Sequence, residues 1–159
     1  MTAKTEREKA QKLIADNRKA LFDYHVLDEW EAGVALLGTE VKAIREGRVN
    51  LRDSFARVDK GEVWLNNVHI SPYSHRGSAD HSERRQRKLL LHRHEILKLS
   101  GRINEKGLTL VPLRMYFKKG RVKIALALVK GKQAHDKRET IRKREVDRET
   151  RAAVKDRGR

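Results

Sequence analysis

GLTLVPLRMYFKKGRVKIALALV, residues 107–129, decides the fold of this chain. Val111, Leu113, Met115 and Phe117 alternate along one arm, and Val122, Ile124, Leu126 and Leu128 along the other. A period of two is the mark of a strand with one buried face. Lys118-Lys119-Gly120 supplies the turn of a hairpin. Pro112 has no amide hydrogen to give a ladder, so it must lie at a sheet edge or a bulge.

Upstream, DSFARVDKGEVWLNNVHI (53–70) reads as another hairpin, turning at Asp59-Lys60-Gly61 with Trp64, Val68 and Ile70 on one face. Phe22, Tyr24, Val26, Trp30, Ala32, Val34 and Leu36 fall on even positions and only Asp28 breaks the series. This predicts one long strand, bent at Gly33, with Glu31 on its outward face. GTEVKAIREG (38–47) reads as a short helix. Thr39 caps it, Glu40 suits its positive end, Val41 and Ile44 make an apolar contact, and Gly47 stops it. In KLLLHRHEILKLSG (88–101), Leu89 and Leu90 lie seven residues before Ile96 and Leu97, which predicts an amphipathic helix ending at Gly101. Three consecutive leucines on a helix, Leu89 to Leu91, cannot all face one core, so one of them is exposed. Residues 71–87, with Arg76, Arg84, Arg85 and Arg87, read as a long basic loop.

The order is strand, short helix, two strands, loop and helix, two strands, tail. An antiparallel sheet of this size removes its exposed edges most simply by closing on itself. The expectation is a mainly β chain: a small antiparallel OB-type barrel over 19–132, five strands with a helix between the third and fourth, and flanking short helices. A lead over 1–18, a short helix or disordered, precedes it, and a disordered basic C-terminal tail over 133–159 follows. Such barrels often bind nucleic acid, but a fold alone does not settle function.

Charge narrows the partner. The chain carries a formal net charge of +16, and the tail from Ala134 onward has ten Lys or Arg against six Asp or Glu, so +12 stays on the rest. A surface that positive attracts a polyanion through phosphate neutralisation and counterion release, so nucleic acid is the leading partner. A membrane surface is the weaker choice, because the tail has no Trp, Phe or Leu for an apolar face. No cysteine is present, which excludes disulfides and thiolate chemistry. MTAKTEREKAQK lacks a signal peptide's apolar stretch, so a cytoplasmic protein is expected.

Catalytic motifs have little foothold. The chain contains no G-x-S-x-G and no H-E-x-x-H. On a helix His92 and His94 point about 200° apart and cannot share a metal ion, and no metal or cofactor is implied. His135-Asp136-Lys137-Arg138 contains the residue types of a metal-free ribonuclease, but adjacent residues in an unpacked tail lack held geometry. Asn17-Arg18-Lys19, Glu31, Lys42 and Arg45 together can form an RNA-facing side, with Asn and Arg on the backbone and Glu accepting from a base edge. The exposed leucine of the 89–91 run can pack on an unstacked base. In the tail, Glu139 precedes Lys143 and Asp147 precedes Arg151 by four, the favourable acid-first order. Each such pair contributes only about 0.2–0.5 kcal/mol to an isolated helix. The tail is expected to be disordered alone and helical against a polyanion.

NRKALFDY (17–24), EAGVALLGTEVKAIREG (31–47), RKLLLH (87–92), GLTLVPLRMYF (107–117) and VKGKQAHDKRETIRKRE (129–145) in order resemble the SsrA-binding protein, or small protein B, family. The resemblance implies a non-catalytic partner of transfer-messenger RNA (tmRNA), one monomer per RNA. It binds the tRNA-like domain and carries it to the vacant A site of stalled ribosomes in trans-translation. It implies RNA contacts at Asn17, Glu31, Leu90 and Lys123. His135, Asp136, Lys137 and Arg138 then enter the 16S rRNA decoding centre, with the tail helical in the empty mRNA channel. Lys132-Gln133 and Val129 depart from the family's usual Lys-Lys and smaller residue. A ribosomal protein held permanently on the subunit is the other rival.

Overall fold

The computed structural model describes residues 11–73 and 81–157. The 107–129 segment forms its hairpin: β8 (Leu108–Lys118) and β9 (Arg121–Gly131) pair antiparallel with Lys118 opposite Arg121. Lys119 and Gly120 between them have φ of 51° and 74°. Two left-handed residues make the turn that matches the strands' natural twist. The register slips at Leu113, which stands between the pairs Pro112–Leu126 and Arg114–Ala125. This bulge inverts the alternation. Leu110 and Met115 face the main core, whereas Val111 and Leu113 join an outer cluster with Ala20, Ala127 and Val129. The single face expected for Val111, Leu113, Met115 and Phe117 is therefore two faces, and Pro112 sits beside the bulge that divides them.

The remaining elements are β1 (Gln11–Asp16), α1 (Arg18–Asp23), β2 (Tyr24–Val34), α2 (Gly38–Arg45), β3 (Val49–Asn50), β4 (Phe55–Asp59), β5 (Glu62–Asn66), β6 (His69–Ile70), β7 (Arg87–Leu90), α3 (Arg93–Ile103) and α4 (Ala134–Arg157). Hydrogen-bonded neighbours run β8, β4, β5, β7, β2, β9 and back to β8, a closed antiparallel ring. β1 extends it along β8, with Gln11 opposite Lys118 and Asp16 opposite Arg114. β3 and β6 form a separate two-stranded sheet. Trp30, Ile44, Leu65, Leu89, Leu99, Leu110, Ile124, Leu126 and Leu128 fill the main core.

Several expectations change. Gln11–Asp16 is a strand rather than a short helix or a disordered lead, because β8 is longer than β4 and leaves an edge for it. Residues 1–10 and Arg76 lie outside the described residues. Phe22 belongs to α1, so the long strand begins only at Tyr24. A second bulge, at Leu27, sets Tyr24 and Val26 opposite Gly131 and Val129, and Trp30 and Ala32 opposite Leu126 and Ile124 on the core side. Extra residues of this kind sharpen strand twist, which a narrow closed sheet requires. In the 55–66 hairpin Val63 and Leu65 point inward and Trp64 does not. Asn67 then takes a φ of 64°, which resets the phase for buried Val68 and Ile70.

The 88–101 segment differs most. Arg87–Leu90 is a strand, which raises the ring to six strands and puts the helix between the fourth and fifth. Leu90 is the exposed leucine because strand side chains alternate, with Leu89 buried beside it. α3 starts after His92 and runs through Gly101 to Ile103. α2 forms as expected and ends at Gly47 with φ 74°, but its N-cap is Leu37 rather than Thr39. The tail, expected to be disordered alone, is the helix α4 here, and its first turns rest on the body: Lys137 lies 3.3 Å from Asp23, and Lys132 Nζ donates to Thr140 at 3.0 Å. Among the described residues no helix is long and apolar enough to cross a membrane.

Candidate nucleic-acid interface

Strand register assembles one outward patch. Gly33 of β2 lies opposite Leu90 of β7 on one side and Lys123 of β9 on the other, and Lys123 in turn faces Tyr116 of β8. A Cβ placed on Gly33 would meet Leu90 Cβ at 3.3 Å and the Lys123 ammonium at 3.7 Å. Leu90 and Lys123 therefore both lean over the glycine. Leu90 is 52% exposed, a large apolar side chain offered to solvent.

Glu31 shares this face, two residues before Gly33. Tyr116 donates its phenol proton to Glu31 Oε2 at 2.7 Å, and Lys118 Nζ reaches Oε1 and Oε2 at 3.1 and 3.2 Å. Partial burial, the largest influence, pushes the Glu31 carboxyl up. The Tyr116 and Lys118 hydrogen bonds, with the charges of Lys118 and Lys123, outweigh it and hold the group below its ordinary value. Burial first, and then the bond to Glu31, pushes the Tyr116 phenol up. At neutral pH the pair is thus a carboxylate held by a phenol donor. A carboxylate has about four lone-pair sites, and three bonds leave one for an incoming N–H, such as an exocyclic base amine. Lys123 beside it suits a phosphate, and Leu90 an apolar base face.

The other sequence-predicted residues lie elsewhere. Asn17 is buried, and its side chain is tied into the fold. Its Oδ1 accepts from Ala20 N at 3.2 Å, capping α1, and its Nδ2 donates to Leu51 O at 3.2 Å and Pro112 O at 3.0 Å. Both donors are engaged, while Oδ1 keeps a lone pair beyond the Ala20 bond. Arg18 is exposed, 3.7 Å from Asp16, and Lys19 Nζ meets Asp53 at 2.7 Å. These two line a surface hollow with Asn50 and Arg52. Lys42 and Arg45 project from α2, with Lys42 5.3 Å from the Tyr73 ring.

The tail motif is divided. His135 and Arg138 face outward. Asp136 turns to the body, where His25 Nε2 lies at 3.2 Å and Gln133 N donates at 3.2 Å. The His25 contact is the chief reason its carboxyl sits below the ordinary value. Lys137 Nζ and the Arg144 guanidinium each stand 5.8 Å from the Phe22 ring.

Sequence reasoning missed Tyr116, Lys118 and Gly33 as parts of the patch. Once Leu113 is known to be bulged, Tyr116 and Arg114 fall on the outward face, but nothing local marks Leu113 as the extra residue. It also read Arg85 and Arg87 as loop charges. Arg87 is 1% exposed and, with Arg85, pairs with the fully buried Glu40 of α2.

Known proteins resemble this chain in sequence and in fold. The family model described as SmpB protein matches residues 14–156. The SsrA-binding protein of Carboxydothermus hydrogenoformans is 57% identical over 145 residues, 91% of this chain and 97% of the relative. That of Trichodesmium erythraeum is 58% identical over 146 residues, 91% and 94% of the two. A solved chain, described under "tmRNA-SmpB: a journey to the center of the bacterial ribosome", superposes with a TM-score of 0.66 at 48% identity, covering 80% of this chain and 94% of that one. By sequence over nearly its whole length and by fold, the chain belongs to the SmpB protein family.

Proposed function

We propose that this chain is a non-catalytic RNA-binding adaptor of the bacterial cytoplasm. It holds the tRNA-like domain of tmRNA and delivers it to the A site of stalled ribosomes, where α4 enters the decoding centre and the empty mRNA channel. The observation that carries the reading is the convergence of Glu31, Leu90 and Lys123 around Gly33, in a chain whose relatives are named SsrA-binding proteins. Carboxylate, apolar platform and ammonium are the three chemistries that an unpaired nucleotide of a folded RNA engages.

The test separates two surfaces. In a gel-shift assay with the tRNA-like domain, Glu31→Ala or Lys123→Ala weakens binding, and for Lys123 the salt slope falls by about one. Asp136→Ala with Lys137→Ala leaves that binding intact but abolishes peptide tagging on stalled ribosomes, as does truncation after Lys132. Undiminished tagging by the truncated protein refutes the tail's role. His135-dependent cleavage of labelled RNA refutes the adaptor reading, and stoichiometric sedimentation with non-stalled ribosomes favours a resident ribosomal protein.

A further inference from the structure

Beyond Leu90 the surface does not close. β7 and the first turns of α3 border a hollow of about 540 Å³, within the range of roughly 300–1,000 Å³ typical of small-ligand sites. Its floor is apolar, and its most exposed members come from two elements: Leu90 on β7, and Leu97 on α3 at 64% exposure. Neither side chain is needed by the core, and exposed leucines that converge on one depression form a patch rather than scattered surface leucines.

Charge on the rim selects the occupant. Lys88 and Glu62 at the edge neutralise each other at 3.1 Å. Arg93, also on the rim, has no acidic partner among the described residues, so the hollow keeps one uncompensated guanidinium. The hollow is also continuous with the Glu31 patch through Leu90, which leans toward Lys123 across Gly33. A nucleotide has the required pairing of a flat apolar body with an anionic appendage.

We infer that this hollow is a second nucleotide seat, in which an unstacked base of the bound RNA lies between Leu90 and Leu97 and its phosphate meets Arg93. The inference rests on the RNA-binding reading above and extends it from the barrel onto α3.

The experiment uses the full-length protein and the tRNA-like domain, unlabelled for affinity and carrying 2-aminopurine at successive single-stranded positions for fluorescence. Leu97→Ser is expected to weaken binding about tenfold, the value of roughly half a leucine's burial. It is also expected to abolish the fluorescence change at one position. Arg93→Gln weakens binding several-fold with a reduced salt slope, and Arg93→Lys restores part of it. Lys98→Gln, an exposed neighbour on α3 outside the hollow, binds like the parent. Melting curves confirm that the variants fold, since both sites are exposed.

Parent-like affinity and fluorescence for Leu97→Ser and Arg93→Gln, with Glu31→Ala still defective, overturns the seat and leaves the RNA-binding reading standing. Parent-like binding by Glu31→Ala and Lys123→Ala as well overturns both. Intact affinity for the tRNA-like domain with loss of ribosome association in Leu97→Ser overturns the seat for the bound RNA in favour of a contact with the ribosome.

Discussion

Replacing Glu40 by alanine removes the anion at the centre of a buried cluster. Glu40 lies in the first turn of α2 at 0% exposure and accepts from Leu37 N at 2.9 Å, and from the Arg85 and Arg87 guanidiniums. All of Arg87's donors have acceptors: Nε on Glu40, Nη1 on Val68 O and Arg85 O, Nη2 on Ser82 O and Glu83 O. Without the carboxylate, Arg87 is a cation in the protein interior with no counter-charge, and α2 loses its bond to Leu37. Breaking a buried pair in this way costs about 3–5 kcal/mol. For a chain of this size each kcal/mol shifts Tm by about 2–4 °C, so the variant should melt roughly 6–20 °C lower.

Urea unfolding monitored by circular dichroism measures the loss directly. A Glu40→Ala/Arg87→Met double variant removes both charges and should recover a large part of it; against the Glu40→Ala and Arg87→Met single variants it should show a coupling well above 1 kcal/mol. The pH dependence has a definite sign. Burial, the largest influence, pushes the Glu40 carboxyl up, but Leu37, Arg85 and Arg87 together hold it below its ordinary value of 4.5. A lowered folded-state value means a contribution present above pH 4.5 and lost as pH falls through the folded value. The parent and Glu40→Ala should therefore converge in strong acid. A loss under about 1 kcal/mol at pH 7, or additive single and double variants, refutes the argument that the cluster is an interdependent unit.

Three further outcomes are expected. Lys119→Asn, at a φ of 51° beside Gly120, should stabilise the β8–β9 turn by a few tenths to about 1 kcal/mol, because asparagine tolerates the left-handed region better; chemical denaturation reads it. Gly33→Ala should cost about 1 kcal/mol, since its methyl would lie 3.3 Å from Leu90 Cβ, an atom that moves only with the β7 backbone. Displacement of Leu90 and Lys123 should also weaken RNA binding in the gel shift. His25→Ala should speed amide exchange in the first turns of α4. In the parent the protection of the same amides, relative to their intrinsic exchange rates, should fall with added salt, and as pH falls through the lowered Asp136 value.

Local chemistry was legible at most positions where a residue's role is set by its neighbours in sequence, though the Thr39 cap and the stop at Gly101 were misread. Both Lys-Gly turns, helix α2 and its stop at Gly47, and the closed antiparallel sheet follow from period and turn residues. What depends on partners far along the chain was not. β7 is four residues of a leucine-rich run that continues into α3, and its strand state comes from pairing with Val63, Trp64 and Gly33. Leu27 and Leu113 look like ordinary members of their strands until the partner strand counts them as surplus. In the same way Arg87 reads as one more loop cation, because its anion lies 47 residues earlier. At the site, Glu31 was readable as outward-facing from β2's own alternation. The resemblance put Leu90 and Lys123 beside it, and their meeting over Gly33 is a property of the ring.

The division of His135–Arg138 has a kinetic corollary. Asp136 and Lys137 already hold His25 and Asp23, so any new partner acquires them by exchange, and its gain is a difference between two sets of contacts. His135, whose Nε2 lies 3.1 Å from Asp136 Oδ1, and Arg138 are exposed and, among the described residues, carry no such tie to the body. The arrangement is that of a strand-displacement toehold, with an outer pair untied from the body beside an inner pair latched to it. Tightening the latch slows completion without altering the first encounter.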